Sequence, residues 1–174
     1  MTEPISEEQI SNICLQCGMC CDGTLFYKAN IGDEAELKFA IGRGFVTFKE
    51  SNSLHFKLPC AFFCGKCSIY GEQRPKVCGS FFCPPLEKTK KGEMEAEQAK
   101  KLIRQAIHLR DKVKIEAQRY PELRAMPINE INNYIGGLIK EKDREKINNY
   151  GDFTLLVLKL TTVLSQFQQH KSSK

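Results

Sequence analysis

The stretch Cys14-Leu-Gln-Cys17-Gly-Met-Cys20-Cys21-Asp-Gly-Thr24 places four cysteines within eight residues. Two-residue spacers let successive thiolates curl around one metal ion or one face of a metal cluster. Glycines at positions 18 and 23 allow the backbone to fold back on itself, as such a loop requires. The stretch therefore predicts a tight metal-binding loop over residues 14–24.

The other five of the nine cysteines follow at greater distance, and the last 91 residues contain none; the five are Cys60, Cys64, Cys67, Cys78 and Cys83. The N-terminal sequence has no basic segment followed by an apolar one, so it is not expected to be a secretory signal. An odd count and an adjacent pair also fit a disulfide framework poorly. We therefore expect a cytoplasmic protein whose thiols bind metal.

The three histidines favour ligation by sulfur alone. His55 falls on the polar face of a predicted hairpin, His108 on a long helix and His170 in the C-terminal tail, and none has ligand spacing from a cysteine. All three are expected to be surface or rim residues. The candidate cofactors are an iron–sulfur cluster, with 4Fe–4S favoured over other types, or zinc held by cysteines.

Composition and charge limit the class of protein. The chain has 174 residues, of which 41% are hydrophobic and 27% charged, as in ordinary globular proteins. No apolar run approaches the ~18 residues of a membrane-spanning helix, so no membrane association is expected. Residues 1–83 contain 8 basic and 9 acidic residues, whereas residues 84–174 contain 18 and 12. The basic surplus is interpreted as solvated helix faces; nucleic-acid binding is not expected, and an acidic protein partner is compatible with it.

Sequence periodicity predicts an α+β protein that is mostly α. A helix is expected over 33–41, and alternation over 45–50 and 54–58 around Ser51-Asn52-Ser53 predicts a short β-hairpin. Later helices are predicted over 94–120, 127–141 and 152–168, with apolar residues at a period near 3.6. We expect a cysteine-cluster metal-binding module over 1–85, with three or four C-terminal helices over 86–174 packed on it in one compact domain.

Two motifs in order carry a resemblance to a known family. The run C-x2-C-x2-C-C-D-G-T-L-F at 14–26 is followed by P-C, C-S-I-Y, R-P, C and F-x-C-P between residues 59 and 84. Over residues 14–85 the sequence resembles the CxxCxxCC, or YkgJ-like, cysteine-cluster family, which is described as chelating zinc or iron. The basic helical half lies outside this resemblance.

The resemblance implies a set of eight metal ligands, which are Cys14, Cys17, Cys20, Cys21, Cys60, Cys67, Cys78 and Cys83. Cys64 departs from the family pattern, because it falls where members carry an ordinary loop residue. The leading functional hypothesis is metal binding by these thiolates.

Two alternatives remain open, and whether the protein is an enzyme is undecided. Some longer family members are flagellin lysine N-methylases, which implies an iron–sulfur-dependent modifying enzyme. This chain is shorter and has no glycine-rich nucleotide loop after a strand. The second alternative is a zinc-binding adaptor for nucleic acid or protein.

Two polar residues next to the cysteines have competing interpretations. Asp22 is expected to cap the turn with its carboxylate, and the alternative is an oxygen ligand or a base. Arg74 is expected to form a salt bridge beside Tyr70 and Pro75, and the alternative is a hydrogen bond that tunes the metal site.

Overall fold

The computed structural model describes residues 5–168, which divide into two compact units. One unit spans residues 7–82 and contains eight of the nine cysteines. The other consists of residues 5–6 and 83–168. Helices account for 56% of the structure and are accompanied by a small antiparallel sheet, which confirms the mostly α prediction.

The unit of residues 7–82 combines three helices with three strands. Its elements in chain order are α1 (Glu7–Cys17), β1 (Lys28–Ile31), α2 (Glu34–Arg43), β2 (Thr47–Glu50), β3 (Ser53–Lys57) and α3 (Lys76–Ser80). The helix α1 runs through the first half of the predicted 14–24 loop, so Cys14 and Cys17 are helical and only Cys20 and Cys21 lie in a turn.

The predicted hairpin is present as β2 and β3, in which Phe48 pairs with His55 and Thr47 pairs with Phe56. Ser51 and Asn52 both take positive φ, the conformation of the two-residue turns that match strand twist. A third strand, β1, was not predicted, because its four residues show no alternation of polar and apolar side chains. It pairs antiparallel with β3 and gives the order β1-β3-β2.

The core of this unit covers one face of the sheet. Its buried members are Ile31, Ala40, Phe45, Phe56, Leu58 and Ile69. Cys60 and Cys67 pack against it partly buried. The same core that holds the sheet together therefore supports two of the predicted metal ligands.

The second unit is a set of helices: α4 (Pro84–Lys90), α5 (Ala96–Ala117), α6 (Ile128–Glu141), α7 (Arg144–Tyr150) and α8 (Asp152–Leu164), followed by a 3₁₀ turn over Ser165–Phe167. The three long helices, α5, α6 and α8, are those expected from periodicity. The short α4 precedes α5, and the short α7 lies between α6 and α8. The buried face of α5 includes Ala99, Ala106 and Ala117, whose small side chains allow close packing.

The helix α8 is buried on one side only. Phe153, Val157 and Leu160 are buried, whereas Leu155 is 56% exposed and Leu158 is 41% exposed. Within residues 5–168, no helix is both long enough and apolar enough to cross a membrane.

Candidate metal centre

The turn after α1 carries the paired cysteines Cys20 and Cys21, which are both half-buried. Gly18 has φ +63° and its N–H donates to the carbonyl of Cys14 at 3.1 Å, which ends the helix. The N–H of Cys21 then donates to the carbonyl of Gly18 at 2.8 Å. The Asp22 carboxylate accepts the N–H of Thr24 at 2.9 Å, which confirms the predicted capping role.

The second cysteine loop is tied directly to this turn. The N–H of Cys60 donates to the carbonyl of Cys21 at 2.8 Å, although 39 positions separate them in sequence. Beyond Cys60 the chain reverses, and Phe63 and Cys67 form an isolated antiparallel bridge. The Phe63 ring also lies against Gly18, where a Cβ would come within 2.5 Å of two ring carbons. Backbone and aromatic contacts thus bring the two cysteine motifs together.

Four thiols are close enough to interact electrostatically, and we call them the four-thiol group: Cys21, Cys60, Cys67 and Cys78. Burial, which is the largest cause, together with repulsion from the ionised forms of Cys60, Cys78 and Cys67 and from Asp22, raises the pKa of Cys21 to about 12. Burial also raises the pKa of Cys60, against the effect of a backbone hydrogen bond from Phe62. The members come from three separate segments of the chain, so only the tertiary fold assembles them.

The pKa of Cys78 is also raised by burial and by neighbouring cysteines, and a nearby cation acts in the opposite direction. The residue is exposed as a whole, but partial shielding of its thiol from water is the largest cause that raises its pKa to about 11. Repulsion from Cys60 adds to this effect, whereas the guanidinium of Arg74 lowers the pKa. Arg74 stacks over the Tyr70 ring at 4.2 Å from its centroid. Among residues 5–168 Arg74 forms no salt bridge of the kind expected, and the aromatic face of Tyr70 holds its guanidinium instead.

A buried carboxylate that the sequence analysis missed fixes the helix carrying Cys78. Glu36 is 7% exposed, and its Oε1 accepts the N–H of Lys76, the first residue of α3, at 2.5 Å. Its Oε2 accepts the N–H of Gly32 at 2.6 Å. The Lys76 ammonium donates to Asp33 at 3.0 Å. Asp33 and Glu36 have capping-box spacing, which identifies the start of α2 from sequence but not the contact with α3.

The remaining cysteines differ in their placement. Cys14 and Cys17 lie one turn apart in α1, and Cys20 directly precedes Cys21. Cys64 is exposed and its thiol lies 3.8 Å from the carbonyl of Lys66, outside the four-thiol group. Cys83 is the residue before α4 and belongs to the helical unit, so the eight predicted ligands are divided between the two units.

The described histidines differ in their exposure to solvent. His108 is exposed on α5, as predicted. The prediction of a surface residue is wrong for His55, which is 4% exposed beside the Phe48 ring, with its Nδ1 lacking a hydrogen-bond partner. His170 lies outside the described residues. The four-thiol group itself contains only sulfur donors.

The donor chemistry of the four-thiol group fits zinc or iron, because thiolates bind both strongly. The pKa values of Cys21, Cys60 and Cys78 are raised by burial and by repulsion between thiolates, which a bound cation would offset while displacing the thiol protons. Across residues 5–168, no three Cys, His, Asp or Glu side chains stand at the spacing that holds a metal ion. All nine cysteines are free thiols in this structure.

Comparison with known proteins gives one match. A family model named CxxCxxCC, with the description "Putative zinc- or iron-chelating domain", matches residues 13–99, which is half of the chain. The match extends beyond the expected end near residue 85 and includes α4. The comparisons with curated proteins and with solved structures return no match.

Proposed function

Because the chain belongs to the CxxCxxCC family of zinc- or iron-chelating domains, we propose that it binds a metal centre through Cys21, Cys60, Cys67 and Cys78. The observation that carries this proposal is the 2.8 Å hydrogen bond from the Cys60 N–H to the Cys21 carbonyl, which joins the two cysteine motifs within one unit, where Cys60 and Cys67 pack against the same core. Four cysteine thiolates are a complete ligand set for a structural zinc ion or for one iron–sulfur cluster.

We propose an iron–sulfur cluster, of 4Fe–4S type, as the occupant, and zinc as the alternative that the experiment below distinguishes. Aromatic rings pack against the same core as Cys60 and Cys67: Phe26 contacts Phe81 with centroids 5.3 Å apart, and Phe62 contacts Phe45 at 4.8 Å. Such rings exclude water, which protects an oxidation-sensitive cluster more than it affects zinc. A cluster bound here would supply one-electron redox chemistry.

The other predicted ligands are assigned to a second set. Cys14, Cys17 and Cys20 have the C-x2-C-x2-C spacing of a cluster-binding run that takes its fourth ligand from elsewhere. The enzyme and adaptor alternatives stay predictions.

We assign this function to the cytoplasm, where reducing conditions keep thiols available for metal. The odd number of cysteines and the adjacent pair Cys20 and Cys21, which fit a disulfide framework poorly, support such a compartment.

The test is the iron, zinc and acid-labile sulfide content of anaerobically purified protein, measured with its absorption near about 400 nm. We expect iron, sulfide and a brown colour, with a clear loss of that absorption in Cys21→Ser and Cys78→Ser variants. The matched control is Cys64→Ser, which removes an exposed thiol outside the four-thiol group and should retain the full load. Equal losses in all three variants would contradict the ligand assignment, and zinc without iron or sulfide would contradict the cluster.

A further inference from the structure

The helical unit has a solvent-facing surface that metal binding does not use. The helix α5 is 22 residues long, and its buried residues lie on one side. On the opposite side, residues spaced three or four apart form a line that we call the α5 stripe: Lys101, Arg104, His108, Lys112, Ile115 and Arg119. This spacing places the first five on one helix face, and Arg119 follows in the turn after α5 ends at Ala117.

The charge of the α5 stripe is only partly compensated within the chain. Arg119 donates to Glu116 at 2.9 Å, and Arg104 lies 3.9 Å from Glu97, a carboxylate that also accepts from Lys100 at 2.8 Å. Lys101 and Lys112 form no ion pair with any side chain of residues 5–168. The stripe therefore presents unneutralised positive charge along one edge of a unit with a basic surplus.

An apolar anchor point lies at the C-terminal half of the stripe. Ile115 is 67% exposed. It lines a cavity of about 570 Å³ together with Lys112 and Arg119 of the stripe, and with Tyr120, Phe153 and Leu156. Cations at the edge of a partly apolar cavity are complementary to an apolar side chain flanked by carboxylates.

We propose that the α5 stripe and this cavity bind an acidic protein segment that carries one apolar anchor residue. The anchor enters the cavity beside Ile115, and the acidic residues of the segment lie along Lys101, Arg104 and Lys112. Complementary charge of this kind guides association, and the buried anchor supplies most of the affinity.

The lining of the cavity favours a protein segment over a nucleic acid. Glu116 and Asp152 also line the cavity. A nucleic-acid strand carries a phosphate at every nucleotide, so some of its negative charge must lie near these carboxylates, whereas a peptide can place its acidic residues away from them. The interspersed carboxylates also lower the density of positive charge below that of a nucleic-acid footprint.

The experiment measures binding of labelled peptides to the full-length, metal-loaded protein by fluorescence anisotropy. The probe is a 12-residue peptide of glutamate and alanine with one central phenylalanine, and the comparison peptides replace either Phe by Ala or all Glu by Gln. We expect the probe to bind at least about tenfold more tightly than both comparison peptides, since each lacks one of the two contacts. Absence of saturable binding would overturn the proposal.

Two variants locate the surface. Lys101→Glu/Lys112→Glu should weaken binding of the probe by about tenfold or more, while the matched control Lys88→Glu/Lys140→Glu makes the same change in net charge on α4 and α6. Ile115→Ala should weaken the Phe peptide several-fold and leave the Ala peptide unaffected. Equal weakening by the two charge variants, no difference between the peptides in Ile115→Ala, or tighter binding of a 12-nucleotide single-stranded RNA would each overturn the proposal.

Discussion

Gly18 couples the backbone of the first cysteine motif to the packing of the second. Its φ of +63° is a conformation that disfavours a Cβ, and the Phe63 ring occupies the space where that Cβ would lie. The turn leading to Cys21 and the loop following Cys60 can approach each other because this residue has no side chain.

Replacing Gly18 by alanine is therefore expected to lower the free energy of unfolding. The left-handed backbone costs alanine about 1 kcal/mol, and displacement of the Phe63 ring adds about 1–3 kcal/mol. The matched control is Gly65→Ala, which has φ +83° but open space around the new Cβ and should lose only the first amount. Chemical denaturation of both variants measures the difference, and equal losses would contradict the contact with Phe63.

His55 is a residue whose sequence position misrepresents its environment. Its side chain alternates with that of Phe56 along β3 and so lies on the other face of the sheet, where polar side chains were expected. It is nevertheless buried next to Phe48. Burial, followed by the nearby charge of Lys28, lowers the pKa of its imidazole below the ordinary value of 6.5. The folded protein consequently prefers neutral His55.

A lowered histidine pKa predicts a stability contribution that is present above about pH 6.5 and lost as the pH falls below it. The sign follows because protonation is easier in the unfolded chain than in the folded one. His55→Gln should lower stability at pH 7.5 but flatten the decline between pH 6.5 and pH 5, relative to wild type. His108→Gln, at an exposed site, should retain the wild-type decline in thermal unfolding, and an equally steep decline in His55→Gln would argue against this assignment.

At the scale of elements, α2 and α3 are joined through their N-termini. The carboxylate of Glu36 accepts backbone N–H groups from both Gly32 and Lys76, and Asp33 pairs with the Lys76 ammonium. Five residues are too few for α3 to be stable alone, so this contact positions Cys78 within the four-thiol group.

Glu36→Gln is expected to weaken metal binding by about 10-fold to 100-fold, as found for residues that orient ligands. The amide places an NH2 group against one of the two backbone N–H donors, which releases one end of α3. Competition with a chromophoric chelator measures the affinity, and Cys78 alkylation in the metal-free protein should become faster. Glu34→Gln, an exposed neighbour on the same helix, serves as the control, and unchanged affinity in Glu36→Gln would contradict a positioning role.

At the scale of the whole molecule, the two units differ in what stabilises them. The helical unit buries a continuous apolar surface, which includes Ile103, Val113, Ile131, Val157 and Leu160. The unit of residues 7–82 has short elements and a group of thiols that repel one another once they are ionised. The free energy of metal ligation is therefore expected to form part of the folding free energy of residues 7–82 only.

Removal of metal by a chelator under anaerobic, reducing conditions should lower or abolish the unfolding transition of residues 7–82. Most of the far-ultraviolet helical signal should persist, because α4 to α8 contain the larger share of helical residues. Circular dichroism with temperature, before and after chelation, provides the measurement, with metal-saturated chelator as the control. An unchanged midpoint, or loss of the entire helical signal, would contradict this expectation.

The sequence by itself determined the features that depend on local pattern. Spacing of Cys14, Cys17, Cys20 and Cys21 identified the family, apolar periodicity located the long helices, and Ser51-Asn52-Ser53 located the hairpin turn. These properties follow from residues close together in the chain, whose backbone preferences and side-chain directions are fixed by short-range geometry.

Only the tertiary structure decided which distant residues meet. It grouped Cys21 with Cys60, Cys67 and Cys78, added β1 to the hairpin, and placed Glu36 against a backbone N–H group 40 residues away. It also buried His55 on a face with polar character in the sequence. Contacts of this kind depend on how buried surfaces and unpaired hydrogen-bonding groups are satisfied across the whole chain, and no local spacing encodes them.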